Sequence, residues 1–402
     1  MKVTITPGKA KGSVIAPPSK SMAHRLLICA GLAEGESVVH NIALSEDIKA
    51  TLGILRALGG EYRIENGSII MRGVGNKTLR ADGILDSKES GSTLRFFIPL
   101  VLTGGSEAVF TGAKRLFERP LGVYEVICKE QGIVFEKGET GLRVEGKLCA
   151  SHFKISGNIS SQFVTGLLFA LPLLCGDSVL EVVPPVESRA YIDMTLDVLE
   201  RFGIQVQREG YTFHIKGNQT YCATDVTVEG DYSNAAFLEA LNLVGGEVSV
   251  NGLLEHSLQG DKVYQQYYAV LKEENACLDI SECPDLGPIL MGMAAVCRGA
   301  RFTGTKRLKI KESDRGAVMA EELEKFGIKA DVWENEIVVY AGTLQKPNRV
   351  LHSHNDHRIA MTLATLCVIT GGSIEGAEAV AKSLPDYFEV LEQLGIHVTQ
   401  EA

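Results

Sequence analysis

Four short segments of the chain crowd cations, carboxylates and hydroxyls beside residues that start helices. In PPSKSMAHR, Ser19 can cap a helix whose apolar face is Leu26, Leu27 and Cys29, leaving Lys20, Ser21 and Arg25 near its N-terminus. Main-chain donors, the positive end of the helix dipole and two cations together suit an anion, although a capped surface helix reads the same way and the Gly-Lys spacing of a Walker loop is missing. In SGNISSQF, Ser160, Ser161 and Gln162 are neutral donors for phosphate or carboxylate oxygens, with a simple N-cap as the plainer reading. In KIKESDRGAVMAEEL, Lys311, Glu312 and Arg315 are expected to open a helix, with Lys311 and Arg315 one turn apart on one face. Glu312 then lies between two cations, where a carboxylate can be held for proton transfer; Ser313 and Asp314 are the cap candidates of a merely solvated helix start.

The fourth segment, HSHNDHR, offers a competing chemistry. His352, His354, Asp356 and His357 fit the His-x-His-x-Asp-His spacing of zinc hydrolases of the metallo-β-lactamase type. Those sites draw further ligands from downstream, and here only His397 follows. The motif also lies far too late in the chain. The zinc reading is set aside, and no metal or cofactor is expected.

These segments sit in a chain of 402 residues with 40 basic and 50 acidic side chains, a net charge of -10. That balance argues against a generic nucleic-acid or anionic-membrane surface, while leaving room for a local pocket that takes small anions. Nine scattered cysteines, with no Cys-x-x-Cys pair, read as reduced thiols of a cytoplasmic protein. The N-terminal residues show neither a secretory signal nor a transit peptide, and the longest apolar run, Phe163 to Cys175, is too short to span a bilayer.

Positioning so many charged groups requires a large scaffold, and the chain repeats one plan. An apolar helix pattern, a Gly and a strand-turn-strand pattern recur in TLGILRALGGEYRIENGSIIMRG, VYEVICKEQGIVFEKGETGLRVEG, LDVLERFGIQVQREGYTFHIKG and MAEELEKFGIKADVWENEIVVYAG. YYAVLKEENACLDI and VLEQLGIHV are weaker copies. Gly60, Gly132, Gly203 and Gly327 are placed to stop each strong helix in the left-handed conformation. Six αβ units over this length favour two lobes of three, each with its own core. The expected division puts residues 1–16 and 231–402 in one lobe and 17–230 in the other, with a hinge near 17 and 230, where APPSK and VEGDYSN interrupt the pattern.

Taken in order, PPSKSxxxR, GSTLR at Gly91 to Arg95, FERP at Phe117 to Pro120, SSQF, SRAYIDMT from Ser188, Pro284-Asp285, KESDR, NDHR and KSLPDYF at Lys382 to Phe388 identify a resemblance that covers the whole chain. The sequence resembles the EPSP synthase (3-phosphoshikimate 1-carboxyvinyltransferase) family of enolpyruvyl transferases. The resemblance implies an α/β (α+β) fold of two lobes, each of three βαβαββ units arranged as an inside-out barrel. It also implies transfer of the enolpyruvyl group of phosphoenolpyruvate to the 5-hydroxyl of shikimate 3-phosphate, in a monomer that needs no metal or cofactor.

On matching positions, the resemblance assigns Ser21, Arg25, Ser160, Ser161, Ser188, Tyr191 and Lys311 to shikimate 3-phosphate, with Gln162 touching both substrates. Lys20, Gly91, Arg119, Arg315, Arg358 and Lys382 are assigned to phosphoenolpyruvate. Asp285 is implied as acceptor for the attacking hydroxyl, Glu312 as the proton carrier at the methylene carbon and Lys20 as a catalytic cation near both substrates. Lobe closure is expected to complete the anion clamp. The chain departs from the usual family pattern at Glu89-Ser90-Gly91-Ser92, Phe96 and Arg307. The sister family, UDP-N-acetylglucosamine enolpyruvyl transferase, usually carries a reactive Cys or Asp in a loop near Leu116 to Arg119, and GAKRLFERP has neither.

Overall fold

The structure is a computed structural model that describes residues 1–75, 78–81 and 83–401. The chain forms two compact units, one from Met1–Ser19 with Gly230–Ala402 and one from Lys20–Glu229. The crossings fall at 19/20 and 229/230, so residues 17–19 join the discontinuous unit, where the Pro18–Gly230 bridge and the bond from the Asp231 amide to the Pro17 carbonyl hold them.

The continuous unit carries three four-stranded sheets of one pattern: a parallel pair, then an antiparallel hairpin. In one, His152–Ser156 runs parallel to Ser178–Val183, with Phe153 opposite Leu180, and Thr212–Ile215 and Val206–Glu209 follow antiparallel. Ile84–Asp86 with Ala108–Thr111 and the hairpin 134–145 repeats it, as does Asp225–Thr227 with Glu36–His40 and the hairpin 61–72. Ser178, Leu180 and Val182 are buried while the residues between them are half-exposed, so each sheet turns one face inward. The helices Lys20–Leu32, Gly91–Thr103 and Ser161–Ala170 are buried nearly all round. Apart from the polar residues near their starts, these helices are apolar on every face, which only a helix surrounded by protein tolerates. Glu46–Ala57, Gly122–Glu130 and Arg189–Arg201 are two-faced. The result is helices inside and sheets outside.

The discontinuous unit repeats this around the buried helices Tyr232–Leu243, Gly287–Val296 and His357–Thr370. One of its sheets orders Cys277–Asp279, Ala300–Thr303, Glu336–Val339 and Ala330–Val332; another sets the first strand, Lys2–Ile5, between Gly372–Glu375 and the last, Val398–Glu401. The sixth unit is reduced to the parallel pair Glu247–Asn251 and Lys11–Ile15. The weak copy YYAVLKEENACLDI has no hairpin for this reason: its strand Cys277–Asp279 is the outer strand of the neighbouring sheet.

The helix stops follow the expected glycines at Gly132, Gly203 and Gly327, with φ of 68°, 81° and 79°. After the second helix it is Gly59, not Gly60, that is left-handed, at φ 96°. In a Gly-Gly pair either residue can take the turn, and here Gly60 is already fixed by its amide bond to the Leu55 carbonyl, at 2.9 Å.

Candidate functional site

In the continuous unit, the starts of two of the three buried helices are wired together by polar side chains. Ser160 caps Ser161–Ala170 through the Gln162 amide, and Ser90 caps Gly91–Thr103 through the Thr93 amide. The Gln162 side chain joins the two, donating to Ser92 Oγ at 2.9 Å and accepting from Arg95 at 2.8 Å. Arg95 also donates to the Pro120 carbonyl, 2.9 Å away, and so anchors the segment that carries Arg119. Gly91 lies under the Arg119 guanidinium: a Cβ built on Gly91 would stand 2.6 Å from Arg119 Nη1, so only glycine leaves that cation in place. Lys20, at the start of the third helix, pairs with Asp47 at 3.0 Å.

Arg25 stands apart from these groups. Its donors go to the Ser21 carbonyl at 2.7 Å, Thr195 at 2.9 Å, Thr165 at 3.4 Å and the Tyr191 carbonyl at 3.0 Å. Burial pulls its pKa down to about 10. The guanidinium therefore orders Ser21 and Tyr191 from inside the unit. Ser188 precedes helix Arg189–Arg201 in a left-handed conformation, φ 55°.

In the discontinuous unit, the expected helix at KESDR begins later than its charge pattern suggests. The helix is Arg315–Lys325, capped by Asp314, and Lys311 and Glu312 lie in the bend before it. Asp314 stops the helix from starting earlier because its carboxylate takes the Ala317 amide. Three carboxylates then gather around Arg315. The guanidinium is 1 % exposed and donates to Asp356 at 2.7 Å, Asp285 at 2.8 Å and Glu312 at 2.8 Å. Asp285 also receives Lys311 at 3.0 Å and lies 3.5 Å from Arg358.

Burial pushes the Asp285 carboxyl up, but Lys311, Arg358 and Arg315 together outweigh it and hold its pKa well below the usual carboxylate range. Burial likewise lowers Lys311 to about 8, against the opposing pull of Asp285. Asp261, another buried carboxyl of this unit, is pushed up to about 6 by burial and then by the Asp285 charge. Arg358 is buried, yet its Nε and Nη1 meet no hydrogen-bond partner among the described residues. Buried donors of a cation are costly to leave unmade, and an anionic group is what satisfies them. Lys382 is buried as well and donates to the Asn355 carbonyl, 2.5 Å away.

The HSHNDHR motif does not gather its four residues into one ligand set. Asp356 caps helix His357–Thr370 and holds Arg315 and Ser313. His354 turns instead toward Glu322, at 2.9 Å, with Glu321 alongside. Lys325, at 2.7 Å, already neutralises Glu322, so the cluster reads as a buried anchor. Several of the groups that organise the site were not singled out from the sequence. Asp47 carries no motif signal, being 27 positions from its partner Lys20. Arg95 was inside GSTLR, but nothing in the string tells that its side chain points at Gln162.

The same architecture occurs in two solved structures of EPSP synthase from Acinetobacter baumannii, with TM-scores of 0.79 and 0.80 at 23 % identity. They cover 99 % and 100 % of this chain, and the whole of their own chains. At that identity the likeness speaks for the fold alone. The family model for EPSP synthase (3-phosphoshikimate 1-carboxyvinyltransferase) matches residues 5–391. Proteins named 3-phosphoshikimate 1-carboxyvinyltransferase from Clostridium kluyveri and Clostridium perfringens are each 41 % identical, over 98 % of this chain and 97 % and 98 % of theirs. The chain belongs to the EPSP synthase family. Among the described residues no helix is long and apolar enough to cross a membrane.

Proposed function

We propose that this protein transfers the enolpyruvyl group of phosphoenolpyruvate to the 5-hydroxyl of shikimate 3-phosphate, releasing phosphate in the synthesis of aromatic amino acids. The observation that carries the reading is the Asp285–Arg315–Glu312 constellation, in which one buried guanidinium holds two carboxylates side by side. The chemistry needs two such groups. As the C–O bond forms, the 5-hydroxyl gives up its proton to Asp285, while Glu312, entering this step as the neutral acid, delivers its proton to the methylene carbon of phosphoenolpyruvate. The resulting tetrahedral adduct loses phosphate, which departs with the proton that Asp285 had taken from the hydroxyl, and the methyl carbon returns a proton to Glu312, restoring the double bond and both carboxyl groups to their starting states. Asp285, stabilised as a carboxylate by three cations, orients the hydroxyl throughout and accepts its proton only as the new bond develops.

Ser21, Ser160, Ser161, Gln162, Ser188, Tyr191 and Lys311 are assigned to shikimate 3-phosphate on the family resemblance, with Arg25 acting through Ser21 and Tyr191. Lys20, Gly91, Arg119, Gln162, Arg358 and Lys382 are assigned to phosphoenolpyruvate, and Arg315 joins them if its guanidinium exchanges a carboxylate for the substrate anion. On the same reading the enzyme works in the cytoplasm as a monomer, without metal or cofactor. The test is acceptor choice. Phosphate release from phosphoenolpyruvate is expected with shikimate 3-phosphate and not with UDP-N-acetylglucosamine; the reverse preference contradicts the assignment.

A further inference from the structure

We infer that Glu322, with His354, is a positioning residue for the anion-binding end of helix His357–Thr370. The inference rests on the proposed function only for which substrate feels it. Arg315 and Glu322 stand seven positions apart on helix Arg315–Lys325, about two turns and about 10.5 Å along its axis, so both project from one face. Along that face lies the segment from His352 to Asp356, gripped at both ends. At one end Arg315 holds Asp356 at 2.7 Å. At the other, Glu322 Oε1 takes the His354 ring at 2.9 Å and Glu322 Oε2 takes the His352 amide at 3.1 Å.

Glu322 is fully buried, and Lys325 secures its charge at 2.7 Å. A buried carboxylate so fixed makes a rigid post, because each oxygen already has its donors. What it fixes is a tight turn. His354 and Asn355 are both left-handed, at φ 50° and 56°; His and Asn enter that region singly with ease, but two in succession need holding. Two features leave this turn directly. The Asn355 carbonyl receives Lys382, and the Asp356 cap begins the turn of helix that carries Arg358. Losing the Glu322 end therefore loosens Arg358 and Lys382, two of the cations assigned to phosphoenolpyruvate, while leaving Asp285 and Glu312 on Arg315.

The experiment compares His354→Asn with His354→Gln in the full chain. Asn tolerates the left-handed backbone but is too short to reach Glu322, whereas Gln can place an amide donor where the ring nitrogen was. For His354→Asn the expected result is a KM for phosphoenolpyruvate raised by about tenfold, with kcat and the KM for shikimate 3-phosphate within about twofold. Amide hydrogen exchange across 353–358 should quicken by about tenfold or more, and His354→Gln should restore both readouts. Glu322→Gln should move them in the same direction. An unchanged KM and unchanged exchange in a folded His354→Asn protein overturns the inference, and so does an equal rise in both KM values together with a lower melting temperature, which marks a purely structural role. If the unaltered protein releases no phosphate, the functional reading fails alone, and the exchange comparison still decides the anchor.

Discussion

Arg315 Nε donates to Asp356 Oδ2 at 2.7 Å, and this bond ties the start of one helix to the cap of another inside a core that water does not reach. The guanidinium is the common counter-charge of Asp285, Glu312 and Asp356. Removing it leaves three carboxylates around an apolar side chain. Arg315→Met is therefore expected to lower stability by about 3–5 kcal/mol, the usual cost of stranding buried charge. Urea unfolding measures it. A midpoint equal to that of the unaltered protein shows that the carboxylates do not depend on Arg315.

Asp285→Asn and Glu312→Gln keep shape and most hydrogen bonds while removing the proton-transfer function. Each should reduce turnover by about 100-fold or more with an unchanged far-ultraviolet circular dichroism spectrum. Near-normal turnover in either variant removes that residue from the acid–base pair.

Lys311 makes a pH dependence. With burial lowering its pKa to about 8, the free enzyme carries this cation below about 8 and loses it as the pH climbs through that value. The KM for shikimate 3-phosphate should then rise on the alkaline side by up to about tenfold per pH unit, because one proton is lost from one anion contact. The stability term has the opposite sense. Above about 8 the unfolded chain holds a proton there that the folded chain has released, so this group's contribution to stability grows with pH until the unfolded lysine also titrates. Lys311→Met should abolish the alkaline rise in KM. Persistence of that rise assigns it to another group.

Gly91→Ala puts a methyl group 2.6 Å from Arg119 Nη1. The guanidinium must move, because such a contact is shorter than carbon and nitrogen tolerate. The expected effect is a KM for phosphoenolpyruvate raised by about tenfold or more with that for shikimate 3-phosphate little changed. Equal effects on the two substrates refute the placement of phosphoenolpyruvate at Arg119.

The repeat of helix, glycine and hairpin was legible in the sequence because it rests on local periodicity: four copies are strong, and each corresponds to a hairpin in a four-stranded sheet. The wrapping of the chain was harder to see. Nothing local says that Lys2–Ile5 pairs with Val398–Glu401, or that one unit keeps only two strands. In the site, Lys311, Glu312, Arg315, Asp285 and Arg358 were all readable from their strings, and the structure links them in one run of salt bridges through Asp285 and Arg315. The strings could not show direction. Arg25 and Arg315 looked like open anion clamps by residue type, yet their donors are taken by protein groups, because a buried guanidinium must satisfy its hydrogen bonds wherever acceptors stand. His352 and His354 looked like metal ligands by spacing, but the left-handed turn aims the His354 ring at Glu322.

The most direct test of enolpyruvyl transfer is a stoichiometry. Purified protein, treated with a chelator, is mixed with phosphoenolpyruvate and shikimate 3-phosphate, and free phosphate and the enolpyruvyl product are followed together by phosphorus NMR and mass spectrometry, with each substrate also omitted in turn. The account predicts one phosphate for each molecule of 5-enolpyruvylshikimate 3-phosphate, and none when either substrate is absent. Phosphate released from one substrate alone, or turnover restored only by added zinc, contradicts it.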